Sequence, residues 1–460
     1  MVRILTTILY GKPIGYLLLR DDGFCDFQYT SDFCRSGIQP SPLLMPAVDG
    51  RVYSFTSISE KTFHGLPGMI ADSLPDTFGQ RLLDQWLEAN GRTGLEANAI
   101  EKLSFMGKRC MGALEYEPSR PMYAEESSII EMSSLVETAR KALSNKKEFI
   151  TMVQNKEKAI LDILRIGTSA GGQRTKAVIA VNEKTGEIRS GQVDVPEGFS
   201  HWLLKFDGFD SDGNAVEPSN HGRVEYAYHL CAVEAGINMT ECRIMEENGR
   251  AHFMTRRFDR DGNRKIHAQT LCALAHYDNR LKAAYSYEQS MAVVRRLTAN
   301  YNETEEMFRR MVFNIMAVNM DDHTKNISFL MDRSGNWRLS PAYDISFSHN
   351  PKGLWTSSHQ MTVNGKSDGI TREDIINVAK RQGIRNPEGI IDKVEHALDM
   401  FPDKAREAGV PEDVIRTLVK ITKEITKETR KPTPHVIPAE MAGNLDLPGT
   451  ESLTIKDRKT

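Results

Sequence analysis

The run Asp321-Asp322-His323-Thr324-Lys325-Asn326, followed further on by Tyr343-Asp344-Ile345, has the residue types and spacing that phosphoryl transfer needs. In that reaction the protein does little covalent chemistry. It supplies a base or orienting carboxylate and hard oxygen ligands for Mg²⁺. Asp321 suits the first role, and Asn326 and Asp344 suit the second. The Asp-to-Asn spacing alone is weak, since it recurs about once by chance in a chain of this size. Its weight comes from the elements around it.

Ile327 to Met331 and Trp337 to Pro341 read as the strands of a hairpin, turned by Asp332-Arg333-Ser334-Gly335-Asn336. Pairing Met331 with Trp337 sets Asn326 opposite Ala342, and strands roughly 5 Å apart let Asn326 and Asp344 share one metal. Upstream, Met307, Phe308, Met311, Val312, Ile315, Met316 and Asn319 recur at helical spacing. They predict a mostly apolar helix that delivers the chain to Asp321 from a buried base.

Two earlier features fit the same chemistry. Gly167 to Lys176 is rich in small residues and precedes the β-type run Ala177 to Val181. Its free backbone N–H groups suit a phosphate, although such a segment is often only a turn, and the Walker A element is absent. Ser200 to Phe206 is strand-like and carries Lys205 inside it. A strand lysine usually points to solvent. Here it follows the Gly-rich segment and precedes a predicted helix, Arg223 to Ala235, that carries Glu225, which is the order of loop, lysine and helix in protein kinases. Glu225 has a plainer alternative as a charge near a helix start.

The 460 residues suffice for about three domains. Hydrophobic content of 40% and charged content of 26% are those of a globular protein. A net charge of -3 gives no global basic field for direct nucleic-acid binding. Met1 to Leu19 is interrupted by Thr6, Thr7, Gly11, Lys12 and Pro13, so it reads as a β-hairpin and not as a signal peptide. No apolar run approaches the roughly 20 residues a membrane helix requires. The six cysteines form no CxxC pair, so buried thiols in a reducing cytoplasm are expected.

Residues 1 to about 120 alternate β-type runs (Ile4 to Tyr10, Gly15 to Leu19, Phe24 to Tyr29) with a helix-like stretch, Pro75 to Asn90, striped by Phe78, Leu82, Leu83 and Trp86. Pro118 to Ser128 reads as a linker. A helix Ser133 to Ser144 and another ending near Leu164 precede strands around the glycine-rich turn, and from 254 the pattern is largely helical, to a last helix, Pro411 to Glu428. Residues 431–460 read as a disordered tail.

These motifs, in this order, resemble those of the HipA family of bacterial serine/threonine-kinase toxins, over most of the chain. Gly65 to Asp76 and Gly107 to Leu114 look like the family's N-terminal "couple" region. In the core, the similar segments are Ser169 to Ala177, Trp202 to Lys205, Glu225-Tyr226, Arg257-Phe258-Asp259-Arg260, Asp321 to Asn326 and Pro341 to Asp344. The resemblance implies an α+β chain with a two-lobed protein-kinase-like fold, an extra small N-terminal α+β domain and a mostly helical C-terminal lobe. The expected division is 1–120 for the N-terminal domain, 121–253 for the N-lobe with its Gly-rich loop and ATP-binding lysine, and 254–430 for the C-lobe with the catalytic loop.

Residue by residue, the resemblance makes Asp321 the catalytic base or orienting carboxylate and Asn326 and Asp344 the Mg²⁺ ligands. Lys205 binds the ATP phosphates, and the loop Ala170, Gly171, Gly172, Gln173, Arg174, Thr175, Lys176 covers them. Arg256, Arg257 and Phe258 fall at the adenine hinge, and His323 and Tyr343 on the nucleotide side, His323 with an alternative as a structural loop histidine. Ser169, or its neighbour Thr168, falls at the family's autophosphorylated loop serine, where a phosphate adds up to about two negative charges and expels the loop from the ATP site. Two positions depart from the familiar pattern: Arg256 replaces a common hinge Glu, and Lys176 follows Arg174-Thr175. The resemblance further implies an ATP- and Mg²⁺-dependent protein serine/threonine kinase, the toxin of a type II toxin–antitoxin pair. Its partners would be a small helix-turn-helix, HipB-like antitoxin that carries the DNA contacts and a protein substrate, in some members an aminoacyl-tRNA synthetase. A small-molecule phosphotransferase and a catalytically silent, antitoxin-binding repressor subunit are the rival expectations.

Overall fold

In the computed structural model of the chain, the residues described are 3–75, 77–92, 97–120, 128–137, 151–153, 155, 162–164, 175–208 and 219–430. The expected phosphate-loop residues Thr168, Ser169, Ala170, Gly171, Gly172, Gln173 and Arg174, most of the expected linker and the expected tail 431–460 lie outside them. The helices expected at 133–144 and ending near 164 are described only at 133–137 and 162–164, which are helical.

The N-terminal unit is an antiparallel sheet of β1 (Ile4–Leu9), β2 (Lys12–Leu19), β3 (Cys25–Tyr29), β4 (Val52–Tyr53) and β5 (Leu114–Glu117), in the order β4-β3-β2-β1-β5. Its alternating pattern buries Leu5, Ile14, Leu17 and Phe27 in one cluster with Ile100, Leu103 and Met106 of the helix Ala99–Met106. That helix is short, and an Asn98–Glu101 capping box satisfies its first turn.

A second antiparallel sheet contains β6 (Lys176–Asn182), β7 (Ile188–Ser190), β8 (Phe199–Lys205), β9 (Cys242–Glu247) and β10 (Arg250–Arg256), in the order β7-β6-β8-β10-β9. β10 runs straight through the boundary expected at 253–254 and ends at Arg256, because its pairing with β8 extends to the Arg256–Trp202 position. The helix His221–Glu234 packs against β10. Gly222 permits the approach, since a Cβ there would lie 2.3 Å from Ala251 O.

The remaining lobe is built mainly of helices around Tyr301–Met316, whose Met307, Phe308, Met311, Val312, Ile315 and Met316 are all buried, as their spacing predicts. The hairpin is present with Met331 opposite Trp337 and Phe329 opposite Leu339, the expected register. A third strand, His267–Thr270, pairs with Ser328–Met331 and was not anticipated: four residues long and with the sequence His-Ala-Gln-Thr, it has no apolar alternation to betray it.

The N-terminal unit docks on this three-stranded sheet. Tyr10 Oη donates to Met331 O (2.6 Å) and accepts from the His267 N–H (3.0 Å), bridging the two strands. Trp337 Nε1 donates to Gln39 O (3.0 Å), and Asp72 accepts from the Thr270 backbone N–H (2.7 Å) and hydroxyl (3.0 Å). Gly68 comes so close to the helix Leu271–Ala275 that a Cβ would lie 2.3 Å from Ala273 O. The two N-terminal motifs singled out in the sequence therefore serve as docking elements: Gly68 and Asp72 here, and Cys110 and Gly112 on the hinge described below. Among the described residues no helix is long and apolar enough to cross a membrane. All six cysteines are free thiols.

Several histidines sit in this packing without compensating charge. His267 is fully buried, its Nε2 3.0 Å from Pro40 O, and burial pushes its pKa down to about 4. His201, His229 and His276 are likewise pushed down to about 4 by burial. The unfolded chain takes up these protons near pH 6.5 and the folded chain only near 4, so stability is full above that window and falls as pH drops through it. Urea denaturation from pH 7 to pH 4 should show a loss on the order of several kcal/mol, and His267→Gln should flatten the slope.

Candidate active site

The site is assembled where the second sheet meets the helical lobe. Lys205 ends β8, opposite Lys176 of β6 and Phe253 of β10. Both lysines are buried, and the Lys205 ammonium lies 5.5 Å from the centre of the Phe253 ring. Lys205 donates to Glu225 of the helix His221–Glu234 and, across the cleft, to Asp344. Glu225 is thus more than a helix-start charge. Asp344 is itself in the left-handed region (φ 53°), a conformation that for a non-glycine residue is held by its surroundings. Burial alone would raise its pKa, but the charges of Lys205 and Lys176 hold it well below the usual carboxylate range.

Asp321 reaches the cleft from the other side. The helix Tyr301–Met316 stops, and Val318 turns the chain at φ 56°, which costs a β-branched residue on the order of 1–3 kcal/mol. Flanking bonds hold the turn: Asn319 N–H to Asn314 O (2.9 Å) and Ser348 N–H to Val318 O (3.0 Å). The two adjacent aspartates then part company. Asp322 is buried and accepts from Tyr287 Oη (2.8 Å) and the Gln360 N–H (2.7 Å), with His359 Nδ1 2.9 Å away. Asp321 stays 41% exposed, its Oδ1 accepting from Trp355 Nε1 (2.6 Å) with His323 Nε2 at 3.8 Å. Crowding by protein, with the like charges of Asp344 and Asp322, raises its pKa against the pull of His323 and Trp355. A carboxylate made more basic in an open cleft is suited to accept or orient a hydroxyl proton.

Asn326 lies in a single 3-10 turn, Thr324–Asn326, where its Nδ2 donates to Asp321 O (2.8 Å). That bond engages the amide nitrogen, and the amide oxygen is a hard donor of the type Mg²⁺ takes. With the ionised Asp344, the donor set fits such a cation. Tyr343 Oη is buried between Ser328 Oγ (2.5 Å) and Lys325 O (2.6 Å), so it braces the loop, and its ring lies 5.5 Å from that of Phe258. His323 has its Nδ1 buried with no hydrogen-bond partner among the described residues.

At the expected hinge, Arg256 is exposed and its backbone is engaged by Glu241 O (2.8 Å) and the Thr240 hydroxyl (2.9 Å). The Arg257 guanidinium is buried on Asp259 (2.7 and 2.8 Å), which also binds Arg260 (2.8 Å) and the Gly112 N–H (2.7 Å). Arg260 in turn donates to Gly112 O (3.0 Å) and Cys110 O (3.1 Å), tying the N-terminal unit to the hinge. Of the anticipated site residues, Lys205 and Asp344 are in direct contact, Asn326 touches Asp321, and Lys176 and Thr175 lie at the start of β6. Trp355 and the anchoring role of Asp322 were missed, because neither belongs to a spacing pattern.

The family description "HipA-like C-terminal domain" matches residues 168–401, and "HipA N-terminal domain" matches residues 5–117. A Haemophilus influenzae protein named "Putative kinase" is 24% identical over 262 residues, 50% of this chain and 72% of that protein. In structure, the chain matches one from the Shewanella oneidensis MR-1 toxin–antitoxin complex of HipA, HipB and operator DNA, with a TM-score of 0.63 and 17% identity, across 92% of this chain and 96% of that one. That likeness establishes the fold, which is α+β and kinase-like.

Removing Lys205 leaves the Glu225 and Asp344 carboxylates without their shared counter-charge. Lys205→Met should cost about 3–5 kcal/mol at pH 7 in urea denaturation, and the cost should shrink at pH 5 as Asp344, no longer held down by Lys205, takes up a proton.

Proposed function

The chain belongs to the HipA family, and on that premise we propose that it is an ATP- and Mg²⁺-dependent protein serine/threonine kinase, the toxin of a type II toxin–antitoxin pair. The observation that carries the reading is Lys205, held at once by Glu225 and Asp344 from opposite sides of the cleft. A lysine so placed is already oriented for α- and β-phosphates. With nucleotide bound, Lys205 would meet phosphate oxygens in place of Asp344, and Asp344 and Asn326 would hold the metal. Mg²⁺, when bound, supplies charge neutralisation on the transferring phosphate. Asp321, more basic than an ordinary aspartate, accepts the proton of the attacking serine or threonine hydroxyl. Adenine would be taken by the hinge backbone beyond Arg256, on groups that Glu241 O, the Thr240 hydroxyl and His201 O do not already occupy, and the loop 170–174 ahead of β6 would cover the phosphates. Self-phosphorylation at Ser169, or at Thr168, would then expel that loop.

A small helix-turn-helix antitoxin is the proposed partner, and DNA is contacted only through it. This agrees with the net charge of -3, and the Shewanella oneidensis structure contains HipB and operator DNA beside its HipA. The cellular target is a protein whose phosphorylation slows growth or translation, in a cytoplasmic setting. A silent scaffold has no physical need for Asp321, Asn326, Asp344 and Lys205 together. Growth arrest that survives Asp344→Ala would favour binding over catalysis, and transfer confined to small molecules would favour the other rival.

Wild type incubated with ATP and Mg²⁺ should gain phosphate on the peptide containing Thr168 and Ser169, read by mass spectrometry. Asp321→Asn should lose at least about a hundredfold in rate while melting like wild type. A fully active Asp321→Asn would remove Asp321 from the site.

A further inference from the structure

The segment after Asp344 folds around Asp321. Ser348 forms a β-bridge with Asn319 and accepts the Met320 N–H (3.0 Å), so the segment is clamped just before Asp321. Twelve residues later it is clamped just after: the Gln360 N–H donates to Asp322 Oδ1 (2.7 Å), and His359 Nδ1 lies 2.9 Å from Asp322 Oδ2. The Gln360 side-chain nitrogen also lies 3.1 Å from Met320 O and 2.7 Å from Trp355 O. Lys282 holds the top of the loop, donating to Leu354 O (3.2 Å) and Ser357 Oγ (2.9 Å). From this frame the Trp355 indole N–H reaches Asp321 Oδ1 at 2.6 Å.

Core packing does not account for this tryptophan. Its ring is half-buried, outside every apolar cluster of the described residues, and its neighbour Leu354 is 96% exposed. Beside a tilted contact with the His323 ring (centroids 6.2 Å), the ring provides one directed N–H, which Trp355→Phe removes while keeping an aromatic ring. A carboxylate on a loop rotates about χ2 at little cost, and a donor fixed on Oδ1 stops that rotation. Oδ2 then keeps one direction from which to accept a proton.

We propose that Trp355 is a positioning residue for phosphoryl transfer, holding Asp321 through Oδ1 so that Oδ2 faces the acceptor hydroxyl. The inference rests on the kinase reading above and adds a residue that the family motifs do not contain. It also gives the anchored loop a purpose: both clamps hold neighbours of Asp321, so donor and acceptor move as one body.

The test compares wild type, Trp355→Phe, which keeps an aromatic ring without a donor, and Trp355→His, which keeps a ring N–H. In ATP-dependent self-phosphorylation, Trp355→Phe should lower kcat roughly ten- to hundredfold with KM for ATP unchanged, and Trp355→His should recover part of the loss. In 5-fluorotryptophan-labelled protein, the ¹⁹F resonance that disappears in Trp355→Phe should shift in Asp321→Asn. Equal kcat in wild type and Trp355→Phe would overturn the assignment, as would a rise in kcat, which would make Trp355 an inhibitory cap. A resonance indifferent to Asp321→Asn would do so too. Loss of kcat with no recovery in Trp355→His, together with a raised KM, would mark a structural ring and also overturn it. An inactive wild type would overturn the kinase reading itself, whereas an active wild type matched by Trp355→Phe would overturn this assignment alone.

Discussion

A buried ammonium group needs counter-charge, and Lys205 finds it in two directions: Glu225 on the helix that packs against its own sheet, and Asp344 on the opposite lobe. Buried charge left unpaired costs several kcal/mol, so this one side chain constrains three elements. It sets how closely the helix His221–Glu234 approaches β10, an approach that Gly222 makes sterically available. It also sets how far the lobes can part while Asp344 stays ionised. Lys176, directly across the strand pair, adds a second positive charge that acts on Asp344.

The opposite wall is stiffened from behind. The hairpin that follows Asn326 pairs with His267–Thr270, and both strands are held by one hydroxyl, Tyr10, from the N-terminal unit. Asp72 fixes the end of the same strand at Thr270, and the Asp259 cluster ties the hinge to Gly112. The small N-terminal sheet therefore braces both the hairpin that follows Asn326 and the Asp259 cluster at the end of β10. Asp321 stands on a scaffold whose rigidity comes from residues more than two hundred positions away in sequence.

Much of this was legible in the chain because it depended on local periodicity. The helix before Asp321, the hairpin register and the strand carrying Lys205 all follow from apolar spacing and turn residues. Asp321, the aspartate singled out in the sequence, is the open one of the pair, whereas Asp322 is buried and saturated with donors. What could not be read was set by tertiary contact. The strand His267–Thr270 has no apolar alternation, and Arg257 was expected at the adenine hinge, where its side chain in fact turns inward onto Asp259. Trp355 is invisible to motif reasoning, since its side-chain hydrogen bond depends on a loop clamped at both ends.

The most direct test of the central claim is a crystal structure of the chain with Mg²⁺ and a non-hydrolysable ATP analogue. The account requires Lys205 Nζ on phosphate oxygens, its bond to Asp344 broken and that to Glu225 kept, with Asp344 and Asn326 on the metal and Asp321 facing the γ-phosphate. A nucleotide bound elsewhere, with the Lys205–Asp344 pair intact, would contradict it.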